Sequence, residues 1–108
     1  MSGKIVQINF KFNVPRGDYE QAAASLADEF AAVAGLHWKI WLMNEAESES
    51  GGIMMFVDES SAKAFLEGPL AAKVMGHPAL SDFSVKQFDV MKEETAITRG
   101  PVEERAQA

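Results

Sequence analysis

The side chains best suited to chemistry gather in one short run, Leu36-His37-Trp38-Lys39-Ile40-Trp41. An imidazole titrates near neutrality, so His37 is the candidate base for taking a proton from an acidic substrate. At the start of a strand, beside a turn, it reads first as a surface or hydrogen-bonded structural histidine, and the base is the alternative. A lysine on a buried face is costly unless paired. Lys39 therefore reads as an inter-subunit ion pair or a sheet-edge charge, or as a cation that stabilises a bound anion. Trp38 and Trp41 offer flat walls to an aromatic ligand, or large area for packing. Asn9 could orient a ligand or bond across an interface. His77, before Pro78, belongs to a loop that could cover a pocket. Phe65, on the apolar side of a helix, completes the candidate substrate contacts.

Other chemistries find no residues here. The chain of 108 residues has no cysteine, which removes thiolate nucleophiles, disulfides and iron–sulfur clusters. Its two histidines lie in different elements and neither sits in an acidic cluster, so no metal site is expected. Glu45, Glu47 and Glu49 alternate along a loop but fall short of the six to eight oxygens of a calcium site. No phosphate loop or dinucleotide fingerprint is present, because Gly51-Gly52 precedes a strand rather than a helix. No cofactor is expected. Ten basic against 16 acidic residues give a net charge of −6, which excludes the basic footprint of a nucleic-acid binder and disfavours an anionic membrane surface. With no apolar stretch of spanning length and no signal-like N-terminus, a cytoplasmic protein is expected.

These candidates must be positioned by a small number of elements. Residues 4–12 alternate with period two, Val6, Ile8, Phe10 and Phe12 against Ile5, Gln7, Asn9 and Lys11, and predict a strand. Pro15 and Gly17 break it. Asp18 with Gln21 resembles a capping box, and Tyr19, Ala22, Leu26, Phe30 and Val33 form a helical stripe that ends at Gly35. Residues 36–43 predict a second strand, with Trp38 and Trp41 on opposite faces. Residues 44–50 form an acidic connection, and Gly51-Gly52 leads into a third strand over 53–57. Asp58 starts a helix bearing Ala62, Phe65 and Leu66, and Pro69 starts another with Leu70, Val74 and Met75. In residues 82–91, Phe83 and Val85 are out of phase with Phe88 and Val90, which predicts a bulged fourth strand.

The order β-α-β-β-α-β predicts an α+β, ferredoxin-like domain over residues 1–92, a four-stranded antiparallel sheet with its helices on one face. Residues 93–108 read as a polar C-terminal tail or an arm across a dimer. The other sheet face carries Ile5, the Trp41 phase of strand two and one phase of strand four. That is too apolar for water, so a second copy is expected to cover it in a homodimeric barrel.

The stretches Gln7-Ile8-Asn9-Phe10, Gly35-Leu36-His37-Trp38-Lys39-Ile40-Trp41, Gly51-Gly52-Ile53 and Val85-Lys86-Gln87-Phe88-Asp89-Val90, in this order, resemble the YdhR-like monooxygenase family of the dimeric α+β barrel superfamily. The resemblance implies a dimeric barrel related to cofactor-independent monooxygenases of antibiotic biosynthesis, which oxidise quinol- or anthrone-type aromatics with dioxygen. It carries no catalytic motif onto particular residues. The rival expectation is a non-catalytic dimeric module that binds a small hydrophobic molecule. Haem handling, known in the same superfamily, is a third.

Overall fold

The computed structural model describes residues 3–102. In chain order it runs β1 (Lys4–Phe12), α1 (Arg16–Ala31), β2 (Leu36–Asn44), β3 (Glu49–Phe56), α2 (Glu59–Leu66), α3 (Pro69–Met75), β4 (Leu80–Asp89) and α4 (Lys92–Ile97). The strands form one antiparallel sheet in the order β2-β3-β1-β4. This is the ferredoxin-like α+β arrangement that the alternation of patterns predicts.

The inner strands carry the core. Val6, Ile8 and Phe10 of β1 and Met54 and Phe56 of β3 are buried together with Phe30 of α1, Ala62 and Phe65 of α2 and Ala71 of α3. Each large apolar side chain in that layer contributes about 1.5–3 kcal/mol. α2 starts as its sequence suggests: the Asp58 carboxylate accepts from the Ser61 amide at 2.8 Å, and that bond holds the Asp58 pKa below the usual value.

Several boundaries differ from expectation. α1 is flanked by Pro15 and begins at Arg16, with no side-chain cap. Proline already holds the required φ, here −58°, and Asp18 falls in the first turn, where its charge still suits the free amides. Gly51 and Gly52 lie within β3 instead of leading into it. Lys92 and residues 93–97, the latter expected as part of the tail, form α4. The segment after it comes back to the sheet, where the Trp38 indole donates to the Pro101 carbonyl at 2.8 Å. Residues 103–108 of the expected tail lie outside the described residues.

Two register shifts set the faces of the sheet. In β2, Leu36 pairs with Phe56 but Trp38 pairs with Met55, so His37 is the extra residue of a bulge. Beyond it, Lys39 lies opposite Met54 and Trp41 opposite Gly52, on the helix side. Trp38, Ile40 and Leu42 face the other way. The expectation that the Trp41 phase lines the uncovered face is thereby corrected: the bulge keeps Leu36 in the core while Trp38 turns outward, and the Trp41 ring packs edge-on at 5.3 Å from Phe30. The second shift, between Asn9 and Lys11 against β4, accommodates Asp82 at φ 56° and keeps Phe83 at 5.4 Å from Phe10. The face away from the helices leaves Ile40 52 % and Phe88 47 % exposed.

Candidate active site

A cavity of about 170 Å³ lies between α1 and the helix side of the sheet. Its walls are almost wholly apolar: Ile8 and Phe10 from β1, Met54 from β3, Ala22, Leu26 and Phe30 from α1, and Val74 from α3. Exposed Asp18 and His77 also line it, at the solvent side. The alanines of α1 explain the space, since larger residues at positions 22 and 23 would fill it.

Lys39 reaches into this cavity from β2. Its Nζ lies 3.3 Å from the centroid of the Phe30 ring and 3.8 Å from that of Trp41. Among the described residues no carboxylate comes within ion-pair distance of it. Burial lowers its pKa from 10.5 to about 7. The two ring faces return part of the hydration an ammonium loses, about 0.5–2 kcal/mol for such contacts. Both the charged and the neutral amine are therefore tolerated near neutral pH. That poise suits a group that must both take and return a proton.

The glycine pair makes this placement possible. A Cβ at Gly52 would sit 2.7 Å from Lys39 Cε, so any larger residue forces the lysine stem to shift. Gly51 has φ +156° and packs against the Ile8 carbonyl, where a Cβ would collide with backbone. One glycine is thus needed by the sheet and the other by the lysine.

Tyr19 supplies a second polar group on the cavity wall. Ser50 Oγ lies 2.8 Å from Tyr19 Oη and 2.6 Å from the Leu42 carbonyl. A carbonyl only accepts, so the single Ser50 proton goes to Leu42 and the Tyr19 hydroxyl donates to Ser50. Burial is the main cause that raises the Tyr19 pKa, so the phenol stays protonated at neutral pH. Stacking on Phe12 at 5.0 Å fixes the ring.

Of the residues singled out in the sequence, Lys39, Trp41 and His77 line the cavity. His77 Nδ1 accepts from the Ala79 amide at 3.1 Å. His37 occupies the bulge and Trp38 the opposite face. Asn9 lies on that face too, accepting from the Gln7 amide at 3.0 Å. Phe65 is buried in the core, with ring contacts to Phe30 and Phe56. None of these four lines the cavity. Phe30 and the Tyr19–Ser50 pair were not singled out. Their signal was present in the helical stripe that carries both aromatics on one side, and in a serine that shares its face with Gly52 and Met54. Among the described residues no three histidine or acidic side chains gather as metal ligands, and no helix is long and apolar enough to cross a membrane.

A four-stranded antiparallel sheet in the order β2-β3-β1-β4, with its helices on one face, defines the ferredoxin-like class of small proteins. Within that class the chain belongs to the family described as "Putative mono-oxygenase ydhR", whose pattern matches residues 5–101. No curated protein sequence matches at a significant level. Solved structures share the fold. SnoaB of Streptomyces nogalater, a cofactor-independent oxygenase, is 17 % identical, with 85 % of this chain and 96 % of that one covered and a TM-score of 0.70. MhuD of Mycobacterium tuberculosis, a haem degrader solved with two haems bound, is 22 % identical over 81 % and 95 %, with a TM-score of 0.60. A dimeric ferredoxin-like protein of unknown function from Thermobifida fusca is 21 % identical over 82 % and 92 %, with a TM-score of 0.65.

Proposed function

We propose that this protein is a homodimeric, cofactor-independent monooxygenase that oxidises a small electron-rich phenol or quinol with dioxygen, and that Lys39 is its proton-transfer group. The observation that supports this reading most is the amine of Lys39, unpaired among the described residues and held against two rings in an apolar cavity. Family membership and the fold of SnoaB favour the same chemistry. The exposed Ile40 and Phe88 on the far sheet face, and the dimeric relative of the same fold, favour the homodimer.

The steps follow from the residues. The neutral Lys39 amine takes the phenolic proton. The resulting ammonium and the phenolate form an ion pair that low local polarity strengthens. The phenolate gives one electron to dioxygen, and the two radicals join at a ring carbon to form a peroxide anion. Lys39 returns its proton to that anion. Loss of water from the hydroperoxide then leaves a quinone, with one oxygen atom in the product and the other in water. The cavity excludes bulk water and orients the ring, while the substrate itself is the reductant.

Size narrows the substrate. An engineered cavity of about 150 Å³ holds one benzene ring. The present cavity, at about 170 Å³, encloses one ring closely, and a fused quinol or anthrone extends past Asp18 and His77 toward solvent. A haem exceeds this space unless α1 lifts from the sheet.

The test is dioxygen uptake by the purified chain with hydroquinones and naphthols of increasing size, with no flavin or metal added. Uptake that is stoichiometric with quinone formation, and lost in Lys39→Met, supports the proposal. Tight binding of the same compounds without uptake favours the rival reading, a non-catalytic module for small hydrophobic ligands.

A further inference from the structure

An unprotonated amine is also a nucleophile, and Lys39 presents one inside the cavity. Its Nζ has no carboxylate partner and no hydrogen-bond acceptor among the described residues. It lines a cavity walled by Phe10, Leu26, Phe30 and Trp41, surfaces that hold an aromatic ring. Gly52 leaves the lysine stem the room to lie along the strand.

We propose that Lys39 forms an imine with small aromatic aldehydes and ketones, which makes the cavity a covalent site for carbonyl compounds. The nitrogen lone pair attacks the carbonyl carbon, and a proton moves from nitrogen to oxygen to give the carbinolamine. The carbon–oxygen bond then breaks, water leaves, and a carbon–nitrogen double bond remains. No oxidant or reductant takes part. The apolar walls favour the condensed product, because the water released has few polar groups to hold it. Desolvated lysines in apolar pockets serve as imine formers for the same physical reason.

Reactivity should be selective. At neutral pH roughly half of the Lys39 amine is unprotonated, given its pKa of about 7, against about three parts in ten thousand for an ordinary lysine. Lower basicity costs some nucleophilicity, with a Brønsted slope of about 0.4–0.5 measured for thiols. A net advantage of at least about tenfold over exposed lysines remains.

The proposal depends on the cavity and the amine and not on the oxygenase reading, so it is tested without dioxygen. The full chain at pH 7 is mixed with benzaldehyde and sodium cyanoborohydride, and labelled lysines are located by peptide mass mapping. The expected result is one benzyl group per chain at Lys39, added at least about tenfold faster than at Lys63 and Lys73. Phenol should slow that labelling by filling the cavity, and Lys39→Arg should abolish it. Labelling of Lys39 at the rate of Lys63 and Lys73, or labelling that phenol leaves unchanged, would overturn the proposal. The phenol arm uses the unaltered chain, so the result stands even if the arginine variant does not fold.

Discussion

Lys39 and Trp38 are neighbours in sequence but lie on opposite sides of the sheet. The lysine nitrogen rests 3.3 Å from the Phe30 ring beneath α1, while the Trp38 indole donates to Pro101 on the far face. One strand thus serves two surfaces, a cavity on one side and an apolar face on the other.

The buried lysine gives stability a defined pH dependence. Its pKa is 10.5 unfolded and about 7 folded, so the unfolded chain binds the proton first as pH falls. Stability associated with this group is complete above pH 10.5, declines as pH drops, and is fully lost below about 7. Lys39→Met removes the titration. Urea melts should find the variant more stable than wild type by about 1–3 kcal/mol at pH 6, with the gap closing by pH 10. The ring contacts keep the difference below what desolvation alone would give.

Turnover should follow the same group in the opposite role. If the neutral amine accepts the substrate proton, kcat/KM rises about tenfold per pH unit below pH 7 and levels off above it. Lys39→Arg keeps the cation and loses the titration, so its residual rate should show no such step. Initial-rate dioxygen uptake between pH 5.5 and 9 provides the measurement.

The two adjacent glycines should fail differently. Gly51→Ala drives a Cβ into the Ile8 carbonyl at a positive φ and should cost more than about 3 kcal/mol, enough to prevent folding. Gly52→Ala meets the flexible Lys39 stem instead. It should cost about 1 kcal/mol and keep the fold, yet displace the amine and reduce turnover at least tenfold. Thermal melts beside dioxygen uptake separate the two outcomes.

The far sheet face should hold the dimer. Ile40→Glu and Phe88→Glu each place a carboxylate on an apolar surface that a second copy would cover, at a cost of several kcal/mol per buried charge. Sedimentation should give a dimer for wild type and a monomer for each variant, with unchanged far-ultraviolet circular dichroism. A wild-type monomer at micromolar concentration would contradict the assembly.

Much of this was legible in the chain because its strands follow simple alternation. Val6, Ile8, Phe10 and Phe12 announce the core face of β1, and the stripe from Tyr19 to Val33 announces α1. The faces of β2 were not legible. Alternation of two assumes one residue per step, and the bulge at His37 inserts an extra one that no residue type signals. The sorting of the site followed from that. Lys39 could be read as an ion pair or as a pocket cation, and only the register, which sets it against Met54 beneath α1, places it in the cavity. The Tyr19–Ser50 bond was hidden for a related reason, since it joins elements 31 residues apart.

The central claim is that Lys39 takes a proton from a phenol inside the cavity. It is tested most directly by the absorption difference spectrum of 4-nitrophenol, a phenol acidic enough to match the Lys39 amine, bound without dioxygen at about pH 6. Wild type should produce the nitrophenolate band in proportion to bound ligand, and Lys39→Met should bind the neutral form only. A wild-type complex in which the bound nitrophenol stays fully protonated would contradict it.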